Sequence, residues 1–135
     1  MEEFVQCFED GLVLYGSYWN HVKNAWRHKD HPNMSIIWFE EMKTNQKLVI
    51  ENLSKFLDCN LSDDKVNQLV EHLKFDNMKN NRAVAPTVGI MRKGKVGDWR
   101  THLTKEQVQL MEKWEEKQLQ NTDMKFMYDL PSPMV

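Results

Sequence analysis

The most informative segment of this chain is residues 92–100, which read Arg92-Lys93-Gly94-Lys95-Val96-Gly97-Asp98-Trp99-Arg100. Two cations stand directly before a glycine, a second glycine follows, and an acid and a tryptophan come next. Backbone N–H groups around such glycines can form an anion-binding nest, and Arg or Lys side chains add charge-assisted donors to phosphate. We expect Asp98 and Trp99 to hold the loop by hydrogen bonding and packing. These residues favour a phosphate-binding loop, with a basic, solvated glycine turn as the alternative.

Most of the chain outside this segment has the apolar spacing of amphipathic helices. Phe4 and Phe8 begin one such pattern, and Ser62 and Thr104 are good N-caps for two later helices. Gln107 follows Thr104 at the spacing of a capping box. The pattern therefore predicts one or two helices in 2–29, a helix in 41–57, helices after Ser62 and after Thr104, a loop at 79–91 and an extended tail at 129–135.

One short apolar run, from Met34 to Phe39, has the length and flanking residues of a buried strand rather than a helix. A strand that is apolar on both faces needs neighbouring strands and covering layers. No other segment of this sequence supplies such a neighbour convincingly. The sequence therefore predicts an incomplete α/β domain, with a helical bundle that buries 34–39 as a linker as the alternative.

The bulk properties exclude several classes of protein. The 135 residues carry a formal net charge of −2, so the chain is not a polycation for nucleic acid. Its two cysteines cannot form a disulfide framework, and no apolar run approaches the about 18 residues of a membrane span. His28 and His31 have no third ligand at zinc-like spacing, so we expect no metal. An acidic amino terminus argues against a signal peptide, and we expect a cytoplasmic protein.

Residues 92–100 also resemble the R-K-G-x-x-G-D-W-K signature of cytosolic sulfotransferases, differing only in Arg100. Further stretches that resemble family motifs follow the family's order: Tyr15-Gly16-Ser17-Tyr18, Phe39-Glu40-Glu41-Met42-Lys43 and Phe75-Asp76-Asn77-Met78-Lys79. The resemblance covers nearly the whole chain. It implies that 1–135 is a partial domain, the mostly helical carboxy-terminal half of a P-loop-like, three-layer α/β sulfotransferase fold.

The resemblance also implies a ligand, the sulfuryl donor 3′-phosphoadenosine 5′-phosphosulfate (PAPS). Arg92, Lys93 and Gly94 would hold the 3′-phosphate, while Met91, Phe75 and Phe39 would lie near the adenine. Phe39 stands where the family usually has a tyrosine, so it keeps a ring but loses a hydroxyl hydrogen bond worth about 0.5–1.5 kcal/mol.

Two parts of the resembled enzymes have no counterpart here. Their Lys-bearing donor loop and catalytic His lie before the region that this chain resembles, and no G-x-x-x-x-G-K-[ST] motif occurs. We therefore assign no catalytic residue and expect the chain to be inactive alone. The full enzyme would transfer a sulfuryl group to a small-molecule phenol, alcohol or amine. The alternatives are a non-catalytic interaction fragment and an unrelated helical phosphate-binding module, which the absence of a strand at 34–39 would favour.

The family's usual dimer is doubtful for this chain. Cytosolic sulfotransferases commonly pair through a K-x-x-x-T-V-x-x-x-E element, whose matching positions here are Arg100, Thr104, Lys105 and Gln109. Lysine replaces the apolar residue and glutamine replaces the acid. Each change would occur twice in a two-fold contact, so we expect this segment not to support the dimer.

Overall fold

The computed structural model describes residues 2–84, residue 91 and residues 93–128. Within these ranges the chain forms seven α-helices and one 3₁₀ helix. In chain order they are α1 (Glu2–Glu9), α2 (Tyr18–Arg27), α3 (Phe39–Thr44), α4 (Gln46–Phe56), α5 (Asp63–His72), α6 (Phe75–Asn80), the 3₁₀ helix (Asp98–Thr101) and α7 (Lys105–Leu119).

The chain is organised in two compact units. The first unit joins the residues up to Ile36 with Asp98–Phe126, and the second is built mainly from Ile37–Gly97. The first unit therefore contains α1, α2 and α7, and the second contains α3 to α6.

The first unit has an aromatic core. Trp19 of α2 and Trp114 of α7 are 4% and 9% exposed, and their ring centroids lie 5.5 Å apart at 80°. Phe8 of α1 meets Trp114 at the same centroid distance, 5.5 Å, and at 71°. Both are edge-to-face arrangements, which the ring quadrupole favours. Each of the three helices thus contributes a ring to one cluster.

Two helices of the first unit, α2 and α7, begin where the sequence provides a cap. The hydroxyl of Ser17 accepts a hydrogen bond from the backbone N–H of Asn20 at the start of α2. At α7, Thr104 Oγ1 accepts from the N–H of Gln107 at 3.3 Å, and Gln107 Oε1 accepts from the N–H of Thr104 at 3.0 Å. The predicted capping box is confirmed.

A short segment after α7 completes this core. Met124 is 2% exposed, and the Phe126 ring lies 5.7 Å from that of Trp19. The indole N–H of Trp26 donates to Asp123 Oδ1 at 2.7 Å, and this bond, more than the nearby Lys29, lowers the pKa of the Asp123 carboxyl. The segment is therefore joined to α2 by a charge-assisted bond as well as by packing.

The second unit packs α4 against α3 and α5, and α5 against α6. Val66 of α5 is 1% exposed and Ile50 of α4 is 9% exposed. Asn45 and Ser62 cap α4 and α5 through their side chains, accepting from Leu48 and Lys65 N–H groups. The predicted start of α5 after Ser62 is confirmed, whereas the segment 41–57 forms two helices that meet at Asn45 rather than one.

The predicted strand at 34–39 is not confirmed. Residues 34–38 have no helix or strand assignment, Trp38 has extended dihedral angles, and Phe39 begins α3. A strand exists only as part of a hydrogen-bonded ladder, and the described residues contain no second strand with which this segment could pair. Its side chains are only partly covered, since Ile37 is 39% exposed.

The described residues contain neither a membrane-spanning helix nor a cluster of metal-ligating side chains. None of their helices combines the length and the low polarity that a bilayer span requires. Nor do these residues bring three or more His, Cys, Asp or Glu side chains together as a metal site would need.

Candidate anion-binding loop

Five of the six predicted site residues belong to the described part of the second unit. Phe39 begins α3, Phe75 begins α6, and Met91, Lys93 and Gly94 lie in the segment that leads to the 3₁₀ helix. The sixth, Arg92, lies outside the described residues.

The loop contains two glycines in the left-handed conformation, which is one element of a nest. Gly94 and Gly97 have φ angles of 60° and 74°, in the left-handed region that glycine enters without steric cost. Alternation between right- and left-handed residues turns successive N–H groups toward one side of the chain. Lys93 and Lys95 are exposed beside these glycines. The loop therefore combines left-handed glycines with exposed positive charge, and its role as an anion site stays a prediction.

Gly94 lies against the ring of Phe75. A β-carbon built on Gly94 would stand 2.5 Å from Cδ2 and 2.7 Å from Cε2 of that ring, distances that real β-carbons do not show. No residue other than glycine fits here without movement of the loop or of the ring. The structure thus brings together two predicted site residues that are distant in sequence.

Phe75 is itself held by contacts at the start of α6. Asn77 Nδ2 donates to the backbone carbonyl of Glu71 at 2.7 Å, joining α6 to the last turn of α5. The Lys74 ammonium forms an ion pair with the Glu71 carboxylate. The ring that contacts Gly94 is therefore attached to the helical part of the second unit.

Phe39 and Met91 are the other residues predicted to lie near the adenine. Phe39 is 43% exposed, and the described residues include no ring contact between Phe39 and Phe75. Met91 is partly buried. Among the described residues the structure therefore shows a contact of Gly94 with Phe75 and no ring pair between Phe39 and Phe75.

The residues that follow the loop form the 3₁₀ helix, and the next residue after it, His102, pairs with Asp98, a contact that the sequence analysis did not predict. His102 Nε2 lies 3.2 Å from Asp98 Oδ2, and the Asp98 side chain is only 10% exposed. The guanidinium of Arg100 lies 4.5 Å from the ring centroid of Trp99. The spacing of four residues between Asp98 and His102, which places two side chains on one face of a helical turn, is the signal that could have revealed the pair.

The first unit contains a cavity of about 500 Å³, which the last turns of α2 and α7 border. Four of its lining side chains are cations: Lys23, Arg27, Lys29 and Lys117. Cations near helix C-termini are favoured by the negative end of the helix dipole. Their clustering here therefore has a structural explanation.

Two of these cations also have protein partners. Lys23 Nζ donates to Gln118 Oε1 at 2.8 Å, and Lys29 Nζ lies 3.5 Å from carboxylate oxygens of both Asp123 and Asp30. Those two carboxylates, Asp123 first, raise the pKa of Lys29. The cavity is therefore a junction between α2 and α7, and the loop that contains Gly94 remains the candidate site.

Comparison with known families gives the loop its context. Residues 1–123 match the family described as Sulfotransferase domain. The chain belongs to the sulfotransferase family. The match covers most of the sequence, including the loop, and it confirms the resemblance found in the motifs. The match also excludes the alternative of an unrelated helical phosphate-binding module. It does so although the described residues lack the strand at 34–39 whose absence was expected to favour that alternative.

Sulfotransferases of known activity resemble this chain over part of their length. Luciferin sulfotransferase of Photinus pyralis is 34% identical, over 87% of this chain and 36% of that protein. Sulfotransferase 1E1 of Bos taurus is also 34% identical, over 93% of this chain and 46% of that protein. The chain spans about half the length of the curated relatives it matches, or less.

Solved sulfotransferase structures share its fold. Retinol dehydratase in complex with androsterone and the inactive cofactor PAP aligns with a TM-score of 0.86 and 32% identity, over 93% of this chain and 40% of that one. Mouse sulfotransferase SULT7A1 complexed with PAP aligns with a TM-score of 0.82 and 27% identity, over 90% and 48%. The mostly helical arrangement is thus that of a part of the P-loop-like sulfotransferase fold.

Proposed function

We propose that this chain supplies the 3′-phosphate end of a PAPS site in a sulfotransferase that acts on a hydroxyl or amine of a small molecule. Arg92 and Lys93 would donate from their side chains, and Gly94 from its backbone N–H. Phe75, Met91 and Phe39 would pack near the adenine, Phe39 without the hydroxyl of a tyrosine.

The observation that supports this proposal most strongly is the conformation of the loop at Gly94. A left-handed glycine is one element of a phosphate-binding nest, and the exposed Lys93 and Lys95 lie on either side of it. An aromatic ring already lies against that glycine, so phosphate donors and a purine-packing side chain occur in one compact unit. The same unit contains Phe39 and Met91.

The related structures suggest the chemistry of the ligands. Retinol dehydratase and SULT7A1 were solved with PAP, and retinol dehydratase also with androsterone and with retinol. Androsterone and retinol are apolar alcohols. We therefore extend to this chain a nucleotide with a 3′-phosphate as the donor, and a small hydroxyl-bearing molecule as the acceptor.

The chemistry itself would depend on groups for which this chain offers no match. Sulfuryl transfer needs a base that activates the acceptor and cations that neutralise charge on the transferred group. Nothing in 1–135 resembles the family's donor-loop lysine or its catalytic histidine. We infer that 1–135 is a partial domain that contributes donor affinity and no turnover, and that it acts in the cytoplasm.

Calorimetry with two nucleotides tests the site. PAP and AMP share the adenosine 5′-phosphate, and only PAP has the 3′-phosphate. Lys93→Ala should weaken PAP binding by roughly 10- to 150-fold, the range for one hydrogen bond to a charged group, and should hardly change AMP binding. Lys65→Ala, which removes an exposed lysine from α5 of the same unit, should change neither.

Equal losses for the two nucleotides in Lys93→Ala would contradict the assignment of the loop. Catalysis is tested separately by incubating the purified 135-residue chain with PAPS and a phenol or apolar alcohol. Turnover above the protein-free blank would contradict the inferred inactivity without affecting the binding assignment.

An interaction fragment without catalytic function is the second candidate. The observation that favours it is the exposure of apolar side chains in the segment between α1 and α2, where Leu12, Leu14 and Tyr15 are 74%, 82% and 97% exposed. Light scattering on the chain should then report association that a Leu12→Ser, Leu14→Ser variant loses. A monomer that binds PAP more tightly than AMP would support the first candidate instead.

A further inference from the structure

We propose that Phe75 is a positioning residue for the phosphate-binding loop, in addition to its expected packing near the adenine. This inference rests on the proposed function of the loop. It assigns to the ring an indirect role in binding the 3′-phosphate, through the backbone of Gly94.

The geometry at Gly94 is the starting point. A β-carbon on Gly94 would overlap two ring carbons of Phe75, at 2.5 Å from Cδ2 and 2.7 Å from Cε2, and would be in tight contact with Cγ at 3.3 Å. The glycine therefore lies beside the ring, too close to leave room for a β-carbon. Part of the ring surface is occupied by the loop and cannot also contact a purine.

The ring is a suitable support because it is fixed at its base. Phe75 is the first residue of α6, and its side chain is partly buried. The bond from Asn77 to the Glu71 carbonyl attaches this helix to α5, whose Val66 is buried in the second unit. A contact with the ring therefore relates the backbone of Gly94 to the helices of that unit.

The backbone of Gly94 needs this support. A glycine has wide conformational freedom, and its φ of 60° is one of several accessible values. The direction of its N–H, and of the N–H groups beside it, depends on that angle. Without the ring, the loop would sample other conformations, and ordering them again on binding would lower the affinity for the 3′-phosphate.

This role differs in its consequences from simple packing on the purine. A residue that only packs on adenine contributes equally to PAP and to AMP, so its loss leaves the ratio of the two affinities unchanged. A role in positioning the loop contributes to the affinity for PAP and not to the affinity for AMP. The ratio of the AMP and PAP dissociation constants therefore distinguishes the two roles.

The first experiment compares Phe75→Leu with Phe75→Tyr by calorimetry on the 135-residue chain. Phe75→Leu removes the flat ring and should reduce the ratio of dissociation constants about 10-fold, the equivalent of one weakened charge-assisted hydrogen bond. Phe75→Tyr keeps the ring and should retain the ratio. In the free chain, the Hα resonances of Gly94 should show a ring-current displacement that Phe75→Leu abolishes and Phe75→Tyr preserves.

A double-mutant cycle then tests the contact itself. Gly94→Ala places a methyl group against the ring, and Phe75→Leu frees space for it, so the two effects on PAP affinity should be less than additive. Gly16→Ala is the matched control, because Gly16 also has a left-handed φ, 79°, but no atom within 4 Å of its missing β-carbon. The effects of Gly16→Ala and Phe75→Leu on PAP affinity should be additive.

The outcomes separate this inference from the proposed function. If the unaltered chain does not prefer PAP to AMP, the proposed function fails, and the inference fails with it. If the unaltered chain prefers PAP and Phe75→Leu keeps the full preference, the inference alone is overturned. Strict additivity of Gly94→Ala and Phe75→Leu would overturn it as well.

Discussion

The replacement of Trp114 by alanine should be one of the most damaging single changes in the first unit. Trp114 is 9% exposed, and its ring makes edge-to-face contacts with Phe8 and Trp19, at a centroid distance of 5.5 Å in each case. One ring on α7 thus contacts rings on both α1 and α2. Its removal takes away the contacts that those helices share.

The size of the effect can be worked from these contacts. Replacing a buried tryptophan by alanine costs about 3–5 kcal/mol, of which the two ring pairs account for roughly 1–3 kcal/mol. Small domains unfold at a total cost of about 5–15 kcal/mol, so the loss is a large fraction of the stability. With a urea dependence near 2 kcal/mol/M, a loss of about 4 kcal/mol moves the midpoint down by about 2 M.

Urea titration followed by far-ultraviolet circular dichroism measures this shift without depending on the removed indole. Tyr15→Ala provides the control, because Tyr15 is 97% exposed in the same unit and its loss should change stability by less than about 0.5 kcal/mol. If Trp114→Ala shifted the midpoint no more than Tyr15→Ala does, the aromatic cluster would not be the core of the unit, and the reasoning would be refuted.

Three further predictions concern the ends of α7 and its flanking segment. Thr104→Ala should lower stability by about 1 kcal/mol in a thermal melt, with Thr104→Ser near the unaltered value, because the hydroxyl caps α7. The pKa of the Asp123 carboxyl in the folded state lies below its ordinary value of 3.8. The stabilisation that the ionised carboxylate provides is therefore complete above pH 3.8 and is lost as the pH falls through the folded-state pKa. Asp123→Asn still accepts the hydrogen bond from Trp26, and it should flatten the acid side of a plot of stability against pH, measured by thermal melts. Lys105 and Gln109 are exposed on α7, and light scattering should find no dimer through this segment unless Lys105→Val and Gln109→Glu are introduced; a stable dimer that a Thr104 variant abolishes would contradict this.

Sequence reasoning succeeded where structure depends on neighbouring residues. Ser62 and Thr104 each begin a helix because a side-chain oxygen reaches an N–H three residues ahead, and that spacing is visible in the sequence. The left-handed conformations of Gly94 and Gly97 are ones that glycine adopts without steric cost, so the residue type permits them. Caps, glycine turns and apolar helix faces are local features, so one sequence suffices to predict them.

Prediction from the sequence failed where one residue can both end a helix and begin the next, or where a residue's contact partner is distant in the sequence. Asn45 ends α3 and caps α4, so a continuous apolar pattern concealed a break, and the short helix α6 had too few turns to produce a pattern. The run at 34–39 had the composition of a strand, but a strand also needs a partner, and composition does not supply one. The contact of Phe75 with Gly94 depends on tertiary structure, and only the family resemblance placed the two residues in one site.

The position of Met124 and Phe126 in the first unit has a practical consequence for shortening the chain. The family match ends at residue 123, yet Met124 is 2% exposed and Phe126 contacts Trp19. A chain trimmed at residue 123 would keep the carboxylate that bonds to Trp26 and would lose both apolar side chains that follow it. The end of the family match and the end of the folded unit are thus different residues, and protease resistance, rather than the family match, should decide where such a chain is cut.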